Sequence, residues 1–420
     1  MIRANLRSLR FVVAILSVAF CLFLIQISAR IGFSRLIARY ALVANSIPAA
    51  DEAVRLTPSD PDAHRTRATI LNRLRMPAEA RDSLEAATSL RYRDDYLWLE
   101  LGQMREDLGD TAGALAAFDQ AVRRAPHYAH THWQRGNVLL RMGRTAEAFT
   151  ELRQAAAANR KYSLNLMDLA WSISAGDVKR TEELIEINDD AERLAFIRFL
   201  AAKGKGKESL DQIKLLSTPL SSENKNEFAR LLFAAKAFPE AFDLWAKSPQ
   251  LRRSALFNSG FEDPLVLNQA GFGGWILSSE QTKNKLAIDV SEKFGGARSL
   301  QITFGGDWTP GTPLLSQTIL VAPGKTYPVA FSIKTKDLVT GGPPMITVSD
   351  AGSDQLLGKS ESFPSTNSWV TLNFEFTTLA TSEAAVIRLQ RSNCNSSPCP
   401  IFGTLWLDEI SIGPWKHASR

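Results

Sequence analysis

The chain has 420 residues, 45% of them hydrophobic and 22% charged, with a formal charge of +5. These values exclude a wholly disordered, collagen-like or coiled-coil chain, and the length predicts two or three domains of roughly 100–200 residues. Residues 1–40 hold six arginines and no acid, whereas residues 255–420 hold 12 Lys+Arg against 14 Asp+Glu, so the basic balance belongs to the N-terminus and no nucleic-acid partner is expected.

The first element is residues 11–29, FVVAILSVAFCLFLIQISA, which are 19 residues without a charge. At about 1.5 Å per residue a helix of this length spans close to the ~30 Å hydrocarbon layer. A cleaved signal would normally carry a shorter apolar region ending in a small-x-small site, and Ile27 occupies the small position if Ala29 ended it. The expectation is a retained single-pass anchor within residues 1–40. Three arginines precede the span and three follow it, so the positive-inside rule barely discriminates the orientation.

Residues 41–250 read as helical and repetitive. Trp98, Leu101, Gly102, Gly109, Ala114, Phe118, Ala121 and Pro126 give W-x2-LG and A-x3-F-x2-A-x4-P. A step of +34 lands on His132, Arg135, Gly136, Gly143, Ala148, Leu152 and Ala155, and a step of −34 on His64, Ala68, Leu71, Ala80, Leu84 and Ala87. This pattern resembles the tetratricopeptide repeat. The resemblance implies a right-handed solenoid of about five or six helix pairs of ~34 residues, with a protein partner on the concave face. By position that face carries Thr69, Asn72, Arg73, Gln103, Asn137 and Arg141; the alternative is a solvated face without a partner. His127, His130 and His132 straddle an inter-repeat turn with no cysteine near, which argues against a metal there.

Residues 255–415 change character. Short alternating apolar runs at 299–304, 316–321, 328–335, 345–348, 369–376, 384–391 and 404–412, separated by Gly, Pro and Asn turns, predict an all-β jelly-roll sandwich. The fold class is therefore α then β: a transmembrane helix, an α-solenoid and a β-sandwich. In order, the motifs NSGFED (258–263), GGW (273–275), GGARSLQITF (295–304), PGKTYPVAFSIKT (323–335) and LWLDEISI (405–412) resemble the galactose-binding-like jelly rolls that include carbohydrate-binding modules. That resemblance implies a structural calcium held by Glu262 and Asp408; no cofactor is otherwise required. The alternative is a pair of surface acids.

A sugar site needs an exposed ring for stacking and planar amide or charged groups for hydroxyls. Trp308 lies in the polar loop GGDWTPGT, Gln317 and Lys334 lie in strands, and Arg388 and Gln390 alternate with the core-facing Ile387 and Leu389. These five are expected to share one glycan-binding face, with Trp275, Trp369 and Trp406 in the core; an ordinary solvated sheet face is the alternative. Cys21 lies in the span, which leaves Cys394 and Cys399, bracketing NSSP, as a disulfide pair. No catalytic fingerprint is present, and no histidine occurs between His132 and His417. The expected role is a non-catalytic scaffold of a bacterial inner membrane, its bulk extracytoplasmic, binding protein by the solenoid and polysaccharide by the jelly roll. A purely structural adaptor and a two-carboxylate glycosidase are the alternatives.

Overall fold

The computed structural model describes residues 2–246, 256–264, 271–277, 284–394 and 398–413. Its first element, α1 (Ile2–Ala44), is one uninterrupted helix of 43 residues. Among the described residues it is the one helix long and apolar enough to cross a membrane. Beyond the apolar stretch the same helix packs on α2 (Ile47–Leu56) through buried Ser34, Ala38 and Ala41. These small side chains let the two axes approach. Ser34 Oγ donates to the carbonyl of Ala53 at 2.8 Å and lies 2.6 Å from Thr57 Oγ1.

Three regular pairs follow: α3 (Pro61–Arg73) with α4 (Pro77–Leu90), α5 (Asp95–Asp107) with α6 (Thr111–Arg124), and α7 (Ala129–Arg141) with α8 (Thr145–Ala158). Their first helices start at 61, 95 and 129 and their second at 77, 111 and 145, so the 34-residue period is kept to the residue. Ala80, Ala114 and Ala148, with Ala87, Ala121 and Ala155, are all fully buried where second helices meet their neighbours. A Cβ on Gly102 would lie 2.5 Å from the Phe118 ring, and one on Gly136 would lie 2.7 Å from Leu152. Glycine is there because the partner ring or isobutyl group fills the space. Each repeat also closes its entry turn in the same way. The ring nitrogen of His64, Trp98 or His132 lies 2.8–2.9 Å from the carbonyl six residues earlier, on Pro58, Tyr92 and Pro126. Histidine and tryptophan interchange because both present a nitrogen at the ring edge. The turn inside each pair needs a positive φ, met by Gly109 (78°) and Gly143 (75°), but by Arg75 (63°) in the first repeat. The helices α9 (Ser163–Ile173) and α10 (Val178–Ile185) continue the series, with Gly176 in the turn before α10.

Contacts divide the chain into two compact units, residues 1–187 and 188–420. The second contains α11 (Asp190–Ala202), α12 (Gly206–Ile213), α13 (Ser222–Ala234) and α14 (Phe238–Trp245), then the β-sandwich. Its sheets each have five strands. The first is ordered β1 (Ile276–Leu277), β4 (Leu315–Leu320), β9 (Ala384–Arg391), β6 (Pro344–Asp350), β7 (Leu356–Lys359). The second runs β2 (Lys285–Asp289), β3 (Ser299–Gly306), β10 (Ile401–Ile412), β5 (Thr326–Thr340), β8 (Asn367–Thr377). All pairings between these strands are antiparallel. Ile346, Val348, Ile387 and Leu389 from one sheet meet Leu300, Ile302, Phe331, Ile333, Leu405 and Leu407 from the other in one core. A second apolar cluster joins Phe238 and Phe242 of α14, Leu232 of α13 and Phe272 to Leu320 and Ala384 on the outer face of the first sheet. Helices that the sequence groups with the solenoid therefore cover one end of that sheet. The short strands β1, β2 and β7 were not among the seven apolar runs.

Candidate functional sites

On the solenoid, Thr69, Asn72, Arg73 and Gln103 line a groove of about 290 Å³ together with Ala68, Leu84, Glu100, Met104 and Asp107. Asn137 and Arg141 lie outside this lining, on α7 of the next repeat. Several of the polar groups are already engaged. Thr69 Oγ1 donates to the Arg65 carbonyl at 2.9 Å, and Arg73 donates to the Leu42 carbonyl and Asn45 Oδ1, each at 3.1 Å. Glu100 takes both arms of Arg65 at 2.8 Å. Arg141 pairs with Glu106. Burial pushes the Glu106 carboxyl up, against the pull of Arg141 and with the help of Asp107. Gln103 Nε2 lies 3.3 Å from His130 Nε2. Its Oε1, with the exposed carboxamide of Asn72, is of the type that bonds a peptide backbone without regard to side chain.

The network around His132 was not visible from spacing. Its Nδ1 lies 2.7 Å from Glu151 Oε2 while its Nε2 faces the Pro126 carbonyl. Two acceptors around one ring favour the imidazolium, and hydrogen bonding to Glu151, with that to Pro126, raises its pKa above the ordinary value. Arg135 pairs with Glu151 and with Asp119, which leaves His132 in a structural ion cluster and not in a metal site.

In the jelly roll the five expected sugar ligands do not share a face. Trp308 is 3% exposed, its ring stacked on Phe304 at 5.4 Å and its Nε1 donating to the Thr312 carbonyl at 2.9 Å. Its loop folds back through the turn at Thr309–Thr312, so a polar loop buries an indole. Gln317 also points inward: it pairs in register with core residue Ile387, is 1% exposed, and holds both polar groups of the Phe257 backbone at 2.5 and 3.0 Å. Lys334 lies on the outer face of the second sheet, paired to Glu292 at 2.6 Å and 5.4 Å above the Trp406 ring. Arg388 and Gln390 lie on the outer face of the first sheet, the opposite side of the sandwich. Trp275 is in the core, as read from sequence; Trp369 is only half-buried, and Trp406 is buried, at 7% exposed, but on an outer face. There its Nε1 donates to Asp289 at 2.9 Å, and hydrogen bonds, first from Ser291 Oγ, hold the Asp289 carboxyl well below the usual range.

The outer face with Arg388 and Gln390 also carries Ser349 and Thr347. Arg388 reaches Asp354 at 2.6 Å and Ser349 Oγ at 3.3 Å, while buried Thr347 Oγ1 has no hydrogen-bond partner. Such a group is costly unless something else bonds it. Behind it, Arg391 continues the inward series of Ala385, Ile387 and Leu389 and is 1% exposed. The carbonyls of Gly342 and Cys399 accept from it at 3.0 and 2.9 Å, its guanidinium lies 6.0 Å from the Trp308 ring centre, and burial pushes its pKa down. It is not among the residues singled out from sequence; the strict alternation of β9 is the signal that would have placed it inside. Cys394 and Cys399 are joined, with Cα atoms 6.3 Å apart, beside this arginine.

Glu262 and Asp408 both approach Gly260. Asp408 is fully buried, with Oδ2 accepting from the amides of Phe294 and Gly295; Glu262 Oε1 accepts from Ala297 and Arg298. No lysine or arginine pairs with Asp408 among the described residues, and no group of three or more His, Cys, Asp or Glu side chains comes together there to hold a metal.

A family model for the tetratricopeptide repeat matches residues 73–129 and 99–163, and one for a carbohydrate binding domain matches residues 253–396. Residues 73–163 thus match tetratricopeptide repeats, and the β-sandwich matches a carbohydrate binding domain. Both are non-catalytic kinds of domain. Protein FlbA of Caulobacter vibrioides is 29% identical over 98 residues, which is 23% of this chain and 16% of that relative's length. Among solved structures, one described as CBM4 structure and function is 18% identical, covering 38% of this chain and 99% of its own, with a TM-score of 0.29. YrrB, described as a TPR protein with an unusual peptide-binding site, is 17% identical over 37% of this chain and 84% of its own, with a TM-score of 0.32. The pilF protein of Pseudomonas aeruginosa is 16% identical over 53% and 98%, with a TM-score of 0.33.

Proposed function

We propose that this protein is a membrane-anchored, non-catalytic scaffold of the bacterial cell envelope, holding a protein on its solenoid and a polysaccharide on its jelly roll, as in exopolysaccharide assembly. The observation that carries this reading is the pairing, in one chain, of a groove lined by Thr69, Asn72, Arg73 and Gln103 with a carbohydrate-binding-type domain. Retention of the anchor is supported by the continuity of α1: residues 34–41 of the helix that holds the apolar stretch also build the first solenoid contact. The extracytoplasmic orientation rests on the sugar-binding kind of the C-terminal domain, and the Cys394–Cys399 bond suits that side of the membrane.

For the glycan, the outer face of the first sheet is the better surface. Arg388 and Gln390, both part-exposed there, offer the charged and carboxamide groups that vicinal sugar hydroxyls use. The same reading gives Glu262 and the buried Asp408, whose carboxylate already accepts the amides of Phe294 and Gly295, to a structural calcium, with backbone carbonyls completing its shell. Affinity electrophoresis of the detergent-solubilised full chain in a panel of soluble polysaccharides is the test. Retardation that is lost in Arg388→Ala/Gln390→Ala but kept in Lys334→Ala supports this face. No retardation in any polysaccharide leaves the structural adaptor as the reading.

A further inference from the structure

The part of α1 that follows the apolar stretch has two faces. Ser34, Ala38 and Ala41 are buried against the solenoid. On the other side Phe33, Leu36, Tyr40 and Val43 are 56%, 64%, 62% and 86% exposed. Their spacing of 3, 4 and 3 is that of the a and d positions of a heptad. A solenoid end normally presents a polar outer face, and this one presents an apolar seam. Carried back into the apolar stretch, the same heptad puts Ala29 and Leu22 at d and Gln26 at a, seven residues before Phe33 and fourteen before Tyr40. Gln26 is the one carboxamide in the 19-residue span. In hydrocarbon an amide needs a partner, and a polar residue at an a position fixes register and strand number in helix pairs.

We propose that α1 pairs with α1 of a second copy of this chain in a parallel, in-register helix dimer, with Gln26 facing Gln26 inside the bilayer and Phe33, Leu36, Tyr40 and Val43 forming the seam outside it. A second copy is the occupant the pattern specifies. Two copies anchored in one membrane lie parallel and at one height, so a two-fold axis along the membrane normal sets each seam residue against its own counterpart. Charge permits it. In a parallel pair a g position meets the e position five residues on, which sets Gly32 against Ile37, Arg39 against Ala44 and Ile25 against Arg30, with no like charges opposed. Arg30 and Arg35 are turned toward the solenoid, to the Leu56 carbonyl at 2.9 Å and to Asp60 at 3.6 Å, which leaves the seam clear.

This inference rests on the retained anchor, so the experiment reads both. Leu36→Cys, Val43→Cys and Arg35→Cys are made in the full chain with Cys21→Ser, expressed in membranes, carbonate-washed, oxidised and resolved without reduction. Two differently tagged copies identify the homodimer. The expected result is full membrane retention, efficient cross-linking at 36 and 43, and little at 35, which faces away from the seam. Gln26→Leu, which cannot harm insertion, should lower the cross-linked fraction at Val43→Cys several-fold. Retained protein that stays monomeric, cross-links equally at all three positions, or cross-links only to another protein overturns the dimer and leaves the anchor standing. Protein absent from the washed membranes overturns both.

Discussion

Replacing Trp308 by alanine separates a core indole from a sugar platform. The ring is 3% exposed, stacks on Phe304, covers one side of the Arg391 guanidinium and bonds the Thr312 carbonyl. Truncating a buried tryptophan costs about 3–5 kcal/mol. The lost N–H bond adds roughly 1 kcal/mol, and the buried cation of Arg391 loses part of its cover. A total of about 4–6 kcal/mol lowers the unfolding midpoint of a domain of about 150 residues by roughly 8–24 °C. Trp308→Phe keeps the stack and should lose less than half of that. The assay is thermal unfolding of the full chain in detergent, followed by near-ultraviolet circular dichroism, in which the packed aromatic rings of the sandwich report. If Trp308→Ala unfolds within about 2 °C of the parent while losing polysaccharide binding, the indole is a surface platform and the burial argument is refuted.

Gly102→Ala should destabilise the solenoid by up to about 2 kcal/mol in urea unfolding, since the Phe118 ring lies 2.5 Å from the new Cβ and an overpacking cost of about 1–3 kcal/mol outweighs the ~1 kcal/mol gain in helix propensity. His132 has a raised pKa in the folded state because Glu151 and the Pro126 carbonyl bond its ring, so its contribution is complete below the unfolded value and is lost as pH rises through the folded one. The urea midpoint of the parent relative to His132→Gln should therefore fall as pH rises above the ordinary imidazole value; a difference that grows with pH would contradict this. Calcium should raise the unfolding midpoint of the jelly roll and a chelator should lower it, with Asp408→Asn removing the response. A midpoint indifferent to calcium would reduce Glu262 and Asp408 to anchors for the loop at 294–298.

The sequence by itself determined what depends on period and local chemistry. The 34-residue step located the helix pairs from residue 61 to residue 158, because each repeat must present the same small residues to its neighbour. Alternation of two determined the inward faces of β5 and β9, and four of the six residues that the repeat resemblance places on the concave face line one groove. Only the tertiary structure decided which strands share a sheet, and that was what the sugar site needed. Lys334 and Arg388 each point outward from their own strand, but a sandwich has two outer faces and alternation does not name which one. Composition misled at Trp308 because loop polarity says nothing about where a turn folds the ring. The His132 cluster and the helices lying on Leu320 and Ala384 were beyond reach for the same reason. A period fixes neighbours along one element, whereas contacts between elements distant in the chain are set by how the whole core closes.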